Sequence, residues 1–575
     1  MKKNEVIEYI KKSFDLKSQG FYKPAIEMLY KALVIEPDNI EILAQLAQLY
    51  KLLENFKRAN YYIEKVLEID ENHVESLSLS TEIYLLQNEL NRAKELSEKT
   101  YKLAPTDENL AKIINILNRL NDIDSIKTIG LSKKSFNDKV LYELALAYYD
   151  KDFKKALGLL EKAYSQNKKD GKIRFLLARA YYENQNYEKA EEIFKNLSKE
   201  SSNAQALNYI GLIQLHKQNF ENAIANFTKA QKFDEKNAEY PYNLASAYFL
   251  NGWLDEAIKY FNIAICHDPK NINYHYSLAY TYYQKNLYDK ALKELAFIKK
   301  SEPGHELSII LNSMILAKKG DLLTAKNQLE NITKNKESDD FAYYALSQVY
   351  KELSMFEQAQ KAINQAIELN PKSLNYLSES LEIKFKQKKY GEALSLANDI
   401  LNISKNYLPA HIFTANIYLE QKDFESLYDK AQEIIELDSN SPEGYYYNAV
   451  SLFEQGDKTF AIESLKKAIS LDLNNALLYA KMSEFYQETG DFKTAFDWAK
   501  EAGEIDDRNY QYKWLCAKIA SVLKKNDEAT KYYSQSYRLC ASDKELCEDY
   551  AKYLKSIGKN KQAEKILKHK EMASV

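Results

Sequence analysis

Residues 181–194 read YYENQNYEKAEEIF, and within them Tyr187 is followed three places later by Ala190. The same phrase, an aromatic residue and then alanine at the third position, returns as YYQKNLYDKALKEL at 282–295 and as YKELSMFEQAQKAI at 350–363. Fixed-interval self-similarity is the first thing to test in such a chain, because a repeat array is read differently from a single globular core.

Marking the alanine of each phrase gives Ala25, Ala59, Ala93, Ala156, Ala190, Ala223, Ala257, Ala291, Ala325, Ala359 and Ala393. The series runs on through Leu427, Ala461, Ala495, Ala529 and Ala563. From Ala223 to Ala563 every step is 34 residues. Other positions keep the period. A small residue stands twelve places earlier (Ala47, Ala178, Gly211, Ala245, Ala279, Ser313, Ser347), with tyrosine frequent three places after it (Tyr50, Tyr181, Tyr248, Tyr282, Tyr350). Proline closes several units, at Pro37, Pro105, Pro269, Pro303 and Pro371.

Each unit reads as two helices. The first has apolar residues at helical spacing, as in Leu278, Ala279 and Tyr282. Gly20, Gly252, Gly320, Gly456, Gly490 or Gly558 then marks a turn, and the second helix starts near the phrase aromatic. Pro24, Pro241, Pro409 and Pro442 fall in first turns, where no intrahelical donor is lost. Small residues belong where paired helices cross closely, and a single hairpin of this kind cannot bury its apolar face alone, so units must stack.

These residues resemble the tetratricopeptide repeat family. Leu278, Ala279, Tyr282, Tyr288, Ala291, Leu295 and Pro303 match its pattern in one unit, and the resemblance runs from about residue 6 to 570 in roughly 17 units. It implies an all-α, right-handed superhelical solenoid of stacked antiparallel helix pairs, with the first helices lining a concave surface. Two departures stand out: the large residue near the start of the first helix is never Trp, and Leu427 replaces one alanine, which is expected to widen that hairpin. The domains expected are an N-terminal array over 1–106 and a C-terminal array over 137–575. Between them, 107–136 is a degenerate unit without the phrase, open to two readings, a bend or a drifted but rigid repeat.

Composition narrows the function. Among 575 residues, 45% are hydrophobic and 28% charged, which argues against disorder, while 14 Gly and 9 Pro are too few for many strands and turns. Lys and Arg number 80 against 83 Asp and Glu, so the basic footprint of a nucleic-acid binder is missing. Four cysteines make no disulfide framework. The most apolar window, LSIILNSMILA at 307–317, is too short for a bilayer. The expectation is a cytoplasmic, bacterial protein without membrane insertion, binding other proteins or peptide segments and no nucleic acid.

No catalytic constellation emerges, and the reading is that the protein is not an enzyme and holds no cofactor or metal. HELSI at 305–309 begins like a zinc-binding HExxH but ends in Ile309. The triplets Asp122/Asp124 and Asp150/Asp152 fall at inter-helix turns, where Asp is expected anyway. No phosphate-cradling glycine motif occurs.

Function therefore rests on the inner face of the first helices, at positions three before, one after and four after the small residue. Over the middle units the candidate groove residues are Phe175, Arg179, Tyr182, Asn208, Tyr242, Asn243, Tyr276, Tyr280, Tyr283, Ile310, Met314 and Tyr344. Aromatic side chains give large contact area at modest entropic cost, which suits a protein-interaction scaffold. The competing reading is that 46 tyrosines reflect compositional bias and the inner faces pack against themselves. Alternative roles are an accessory arm recruiting substrates for a separate enzyme such as a glycosyltransferase, or a peptide-sensing regulator. The regulator class usually carries a helix-turn-helix domain, for which residues 1–5 leave no room. A Lys/Asn/Arg carboxylate clamp, known in some arrays of this family, is not expected, since those positions carry Tyr, Ser and Leu.

Overall fold

The computed structural model describes residues 2–132, 135–200, 203–334 and 339–572. Over these the chain forms thirty-four α-helices and no strand. They are numbered in chain order from α1 (Lys2–Ser18) to α34 (Asn560–Met572). Odd numbers are the first helix of a pair and even numbers the second, making seventeen pairs. The chain divides into two compact units, Met1–Glu294 and Leu295–Val575. Within each, a helix packs mainly on those one or two places away along the chain, as expected of a nearest-neighbour array.

The pairs are built on the phrase alanine. All sixteen positions of that series, fifteen alanines and Leu427, are 0% exposed. Facing them in the first helices, Ala47, Ala178, Ala245, Ala279, Ser313, Ser347, Ala415, Ala449 and Ser483 are also fully enclosed. Gly211, on α13 (Ala204–His216), shows how tight the crossing is: an added Cβ would lie 2.5 Å from the Phe227 ring of α14 (Phe220–Phe233). At Leu427, on α26 (Phe424–Leu437), the extra bulk is offset. Four residues on, where Leu29, Phe194, Phe227 and Phe261 stand in other pairs, this helix has Ala431, and both are enclosed.

The turn inside each pair is more uniform than its glycines suggest. Sixteen residues have φ between 56° and 100°, and ten of them carry side chains, among them Glu54, Gln185, Lys388 and Lys422. The next residue's N–H reaches back to a carbonyl in the helix just ended, as Asn55 N–H does to Tyr50 O at 2.9 Å. This is the hydrogen-bonded C-terminus that favours a left-handed residue. Periodicity in packing thus imposes the conformation even where the residue type opposes it. Prolines sit where the sequence places them; Pro409 and Pro442 open α25 (Leu408–Gln421) and α27 (Pro442–Gln455).

The irregular stretch at 107–136 lies in the first unit, and residues 133–134 of it fall outside those described. It forms α7 (Asp107–Arg119) and α8 (Ile123–Ser132). Its turn is regular: Asn121 has φ 58°, and Asp122 N–H donates to Leu117 O at 2.9 Å. Counting from that turn puts Ile114 and Ile126 at the crossing, both 0% exposed. Gly130 takes the place where most other pairs carry a large residue. Two branched side chains hold this pair apart, and α7 packs more on α9 (Asp138–Tyr148) than on α8. The next turn, between α9 and α10 (Phe153–Gln166), has no residue with positive φ, and its closing hydrogen bond, from Asp152 N–H to Tyr148 O at 2.7 Å, spans one residue fewer, so the crossing position of α9 is Ala145.

Two outcomes test this packing. Ala257, on α16 (Leu254–His267), is enclosed with Ala245, Phe261 and Leu278. Ala257→Arg is expected to cost at least about 1–3 kcal/mol, with loss of amide-exchange protection concentrated over 239–284 and the N-terminal pairs spared. Replacing Glu54, at φ 56°, by glycine relieves a left-handed side chain and is expected to raise stability by about 0.5–1 kcal/mol in urea unfolding.

Candidate functional site

The inner surface can be located from its cavities. In the first unit a cleft of about 880 Å³ is lined by α3 (Ile40–Leu52), α5 (Val74–Leu86) with its preceding His73, and α7. A second, of about 310 Å³, is lined by the end of α5, by α7 and α9, and by the start of α11 (Gly171–Glu183) with its preceding Asp170. Only first helices and the residues preceding them contribute, so this side of the stack is concave here.

One contact recurs between successive first helices within each unit. The residue four after the crossing position of one first helix meets the residue one after the crossing position of the next, 31 residues on. Lys17 Nζ donates to Gln48 Oε1 at 2.6 Å. Lys51 pairs with Glu82, whose other oxygen accepts from Lys112 Nζ at 2.9 Å. Further along the first unit the same slot is aromatic, with Phe249 and Tyr280 ring centroids 5.7 Å apart. In the second unit it is again ionic, Lys351 Nζ lying 2.7 Å from Glu382 Oε2 and 3.0 Å from Glu379 Oε1. Burial alone would raise the Glu82 carboxyl, but the two lysines outweigh it and hold it below the ordinary range.

The sequence-derived groove residues divide by environment. In the first unit Tyr276 and Tyr280 stack at 6.4 Å, and Tyr280 lies 6.2 Å from Tyr283. Tyr242 packs 4.7 Å from Tyr274 and shares a 3.3 Å hydrogen bond with Ser277 Oγ. Phe175 meets Phe194 and Tyr209 edge-on at 5.6 and 5.8 Å. Tyr182 shares a 3.1 Å hydrogen bond with His216 Nε2, and burial pushes its hydroxyl up to about 12. These aromatic residues are half-buried and touch one another, so part of each ring is packing and part is surface. Arg179 is exposed, bonded to Glu183 at 2.8 Å, with its guanidinium 5.2 Å over Tyr149.

Asn208 and Asn243 are enclosed. Asn243 Nδ2 donates to Asn208 Oδ1 at 2.8 Å, and Asn208 Nδ2 to Glu239 Oε1 at 3.0 Å, forming a buried amide link between adjacent first helices. In the second unit Ile310 is 0% exposed and belongs to the core with Ala325 and Leu329, so it offers a partner nothing. Met314 is half-buried against that core. Tyr344 is half-buried 5.1 Å from Tyr376, and its hydroxyl accepts from Gln348 Nε2 at 2.8 Å. The reason for the split is reach. Asn208 and Ile310 hold the register of Phe175, Tyr242, Tyr276 and Tyr344, but their shorter side chains end inside the helix–helix contact while the aromatics extend past it.

The polar wall of the first unit, Gln48, Lys51, Ser78, Glu82, Lys112 and Glu143, was not singled out from the sequence. Register counting reaches Gln48, Lys51, Ser78 and Glu82 once extended to the N-terminal units. Lys112 and Glu143 escape it because each stands two residues before its crossing position, Ile114 and Ala145, which is none of the three counted offsets. Motifs that resemble chemistry are helix caps. His305 Nδ1 accepts from Ser308 N at 3.2 Å, Asp122 from Ser125 N at 3.2 Å, and Asp152 from Lys155 N at 3.1 Å. Among the described residues no helix is long and apolar enough to cross a membrane.

Sequence profiles described as tetratricopeptide repeat match residues 147–208, residues 242–296, and the three stretches 40–73, 204–237 and 342–373. The chain is a tetratricopeptide repeat protein. No curated protein matches it. Among solved structures it is similar to a chain of the crystal structure of the APC/C hetero-tetramer Cut9-Hcn1, at 14% identity, 84% of this chain, 96% of that one and a TM-score of 0.46. It is also similar to yeast Tom70, at 19% identity, 73% and 97% coverage and a TM-score of 0.38. A chain of the Naa15/Naa10 structure bound to HypK-THB follows at 14% identity, 98% and 99% coverage and a TM-score of 0.36.

Glu143 supplies a test of the inner-surface electrostatics. Burial pushes its carboxyl up, against a hydrogen bond from Asn115 Nδ2 at 3.1 Å. With a folded-state pKa above the unfolded one, the native chain binds more protons in that window, and stability falls as pH rises through it. Glu143→Gln is therefore expected to raise the unfolding midpoint at neutral pH, with a larger gain at pH 8 than at pH 5 by thermal unfolding.

Proposed function

We propose that this chain is a non-catalytic protein–protein interaction scaffold that holds partner segments against the inner faces of its first helices. One observation carries the reading: the cleft of about 880 Å³ that runs across α3, α5 and α7, lined by side chains that the helix crossings do not use. Extended concave surfaces of this kind are how stacked-repeat proteins bind. Farther along the first unit the face changes from ionic to aromatic, at Tyr242, Phe249, Tyr276, Tyr280 and Tyr283. A partner segment fitting both would carry polar or charged side chains at one end and apolar ones at the other. Half-buried tyrosines suit the second part, since a rigid ring already held by its neighbours loses little freedom on binding.

The experiment uses the full chain as bait, identifies a retained protein by mass spectrometry, and measures its affinity by calorimetry. Tyr276→Ala combined with Tyr280→Ala is expected to weaken that partner by about 2 kcal/mol or more. Unfolding should shift by the loss of the three ring contacts among Phe249, Tyr276, Tyr280 and Tyr283 that the change removes, at about 0.5–1.5 kcal/mol each. Lys229→Ala, an exposed site on the second helix α14, should change neither. A partner equally weakened by the Lys229 change, or indifferent to the tyrosine pair, would place the binding surface elsewhere.

A further inference from the structure

The irregular unit leaves a carboxylate without its cation. Glu143 and Glu379 occupy the same place in their helices, two residues before the crossing positions Ala145 of α9 and Leu381 of α23 (Leu374–Lys386). Glu379 is answered by Lys351, four residues after the crossing position of the preceding first helix, at 3.0 Å. The corresponding residue before Glu143 is Asn118, which donates instead to the Glu143 backbone carbonyl at 3.0 Å. Among the described residues the Glu143 carboxylate receives a hydrogen bond from Asn115 alone. Lys172 and Arg119 are near enough to act on it electrostatically, Arg119 donating to the Leu85 carbonyl at 3.3 Å, but among the described residues no cation forms an ion pair with it.

The other lysines of this cavity are already taken. Lys112 is held by Glu82 at 2.9 Å and Ser78 at 2.6 Å, and Lys139 by Glu108 at 2.9 Å. The cavity, of about 310 Å³, also presents the Tyr142 ring and the apolar side chains of Leu85, Ala111 and Ile173. A partly buried anion with cations near it but none in direct contact is costly to keep. An aliphatic stem ending in a cation fits this lining, the stem on the apolar wall and the charge at the carboxylate beside an aromatic ring.

We infer that this cavity is a specificity pocket for a lysine or arginine side chain of the bound partner, received by Glu143. The inference rests on the proposed binding of protein segments to the inner face, and it adds the chemistry by which one of them is selected.

The labelled full chain is applied to an immobilised library of short peptides with randomised flanks and a fixed central Arg, Lys, Gln, norleucine or Glu. Arg and Lys peptides are expected to be retained preferentially. Glu143→Gln should weaken the best of them by about thirtyfold. Asn118→Lys, which supplies the internal cation that Lys351 gives Glu379, should remove the preference while leaving the unfolding midpoint unchanged or higher. Retention of peptides without a basic preference overturns the pocket and leaves the wider binding reading standing. A basic preference that survives both substitutions overturns the pocket as well. Failure to retain any peptide overturns both.

Discussion

Everything in this molecule depends on how closely two helices can cross. Sixteen fully enclosed positions, fifteen of them alanine, set that distance. The residues around them follow from it: in most pairs a large side chain four places on fills the space beside the crossing, and a small one on the partner helix admits it. Gly211 and Phe227 are the limiting case, where even a methyl group would strike the ring. Bulk can move between the two slots. Leu427 with Ala431, and Ile126 with Gly130, exchange large and small between the same two slots.

Because the crossings use one stripe of each first helix, the neighbouring stripe is free to vary without loss of the stack. The contact 31 residues apart shows what that freedom permits. Lys17 with Gln48, Lys51 with Glu82, Phe249 with Tyr280 and Lys351 with Glu382 are the same geometric slot carrying different chemistry. Each unit therefore contributes a separately chosen patch to its inner face. Under the proposed function, that would let one chain take segments whose character changes along their length.

The sequence made the scaffold legible and left the surface partly hidden, for a physical reason. Alanine at a crossing is enforced by contact, so its 34-residue recurrence reports structure directly, as do Pro409 and Pro442 at helix starts. The turn was only partly visible. Glycine marks six of the sixteen left-handed residues, while Glu54, Lys388 and the other non-glycine residues adopt the same conformation because packing dictates it. On the inner face, position alone could not separate Tyr276 from Ile310, since side-chain length decides which one emerges. Glu143 was out of sight because it stands two residues before Ala145, an offset outside the three by which inner positions were counted.

Within each compact unit a helix meets mainly those one or two places away along the chain. That feature governs kinetics as well as shape. Contacts spanning so few residues carry little loop-closure entropy, and folding rate rises as the mean sequence separation of contacts falls. Lengthening such an array lowers that mean relative to chain length. A nascent chain of this design has no need to wait for its C-terminus: each helix pair can consolidate on the one before it as soon as it emerges, and little apolar surface awaits a distant partner.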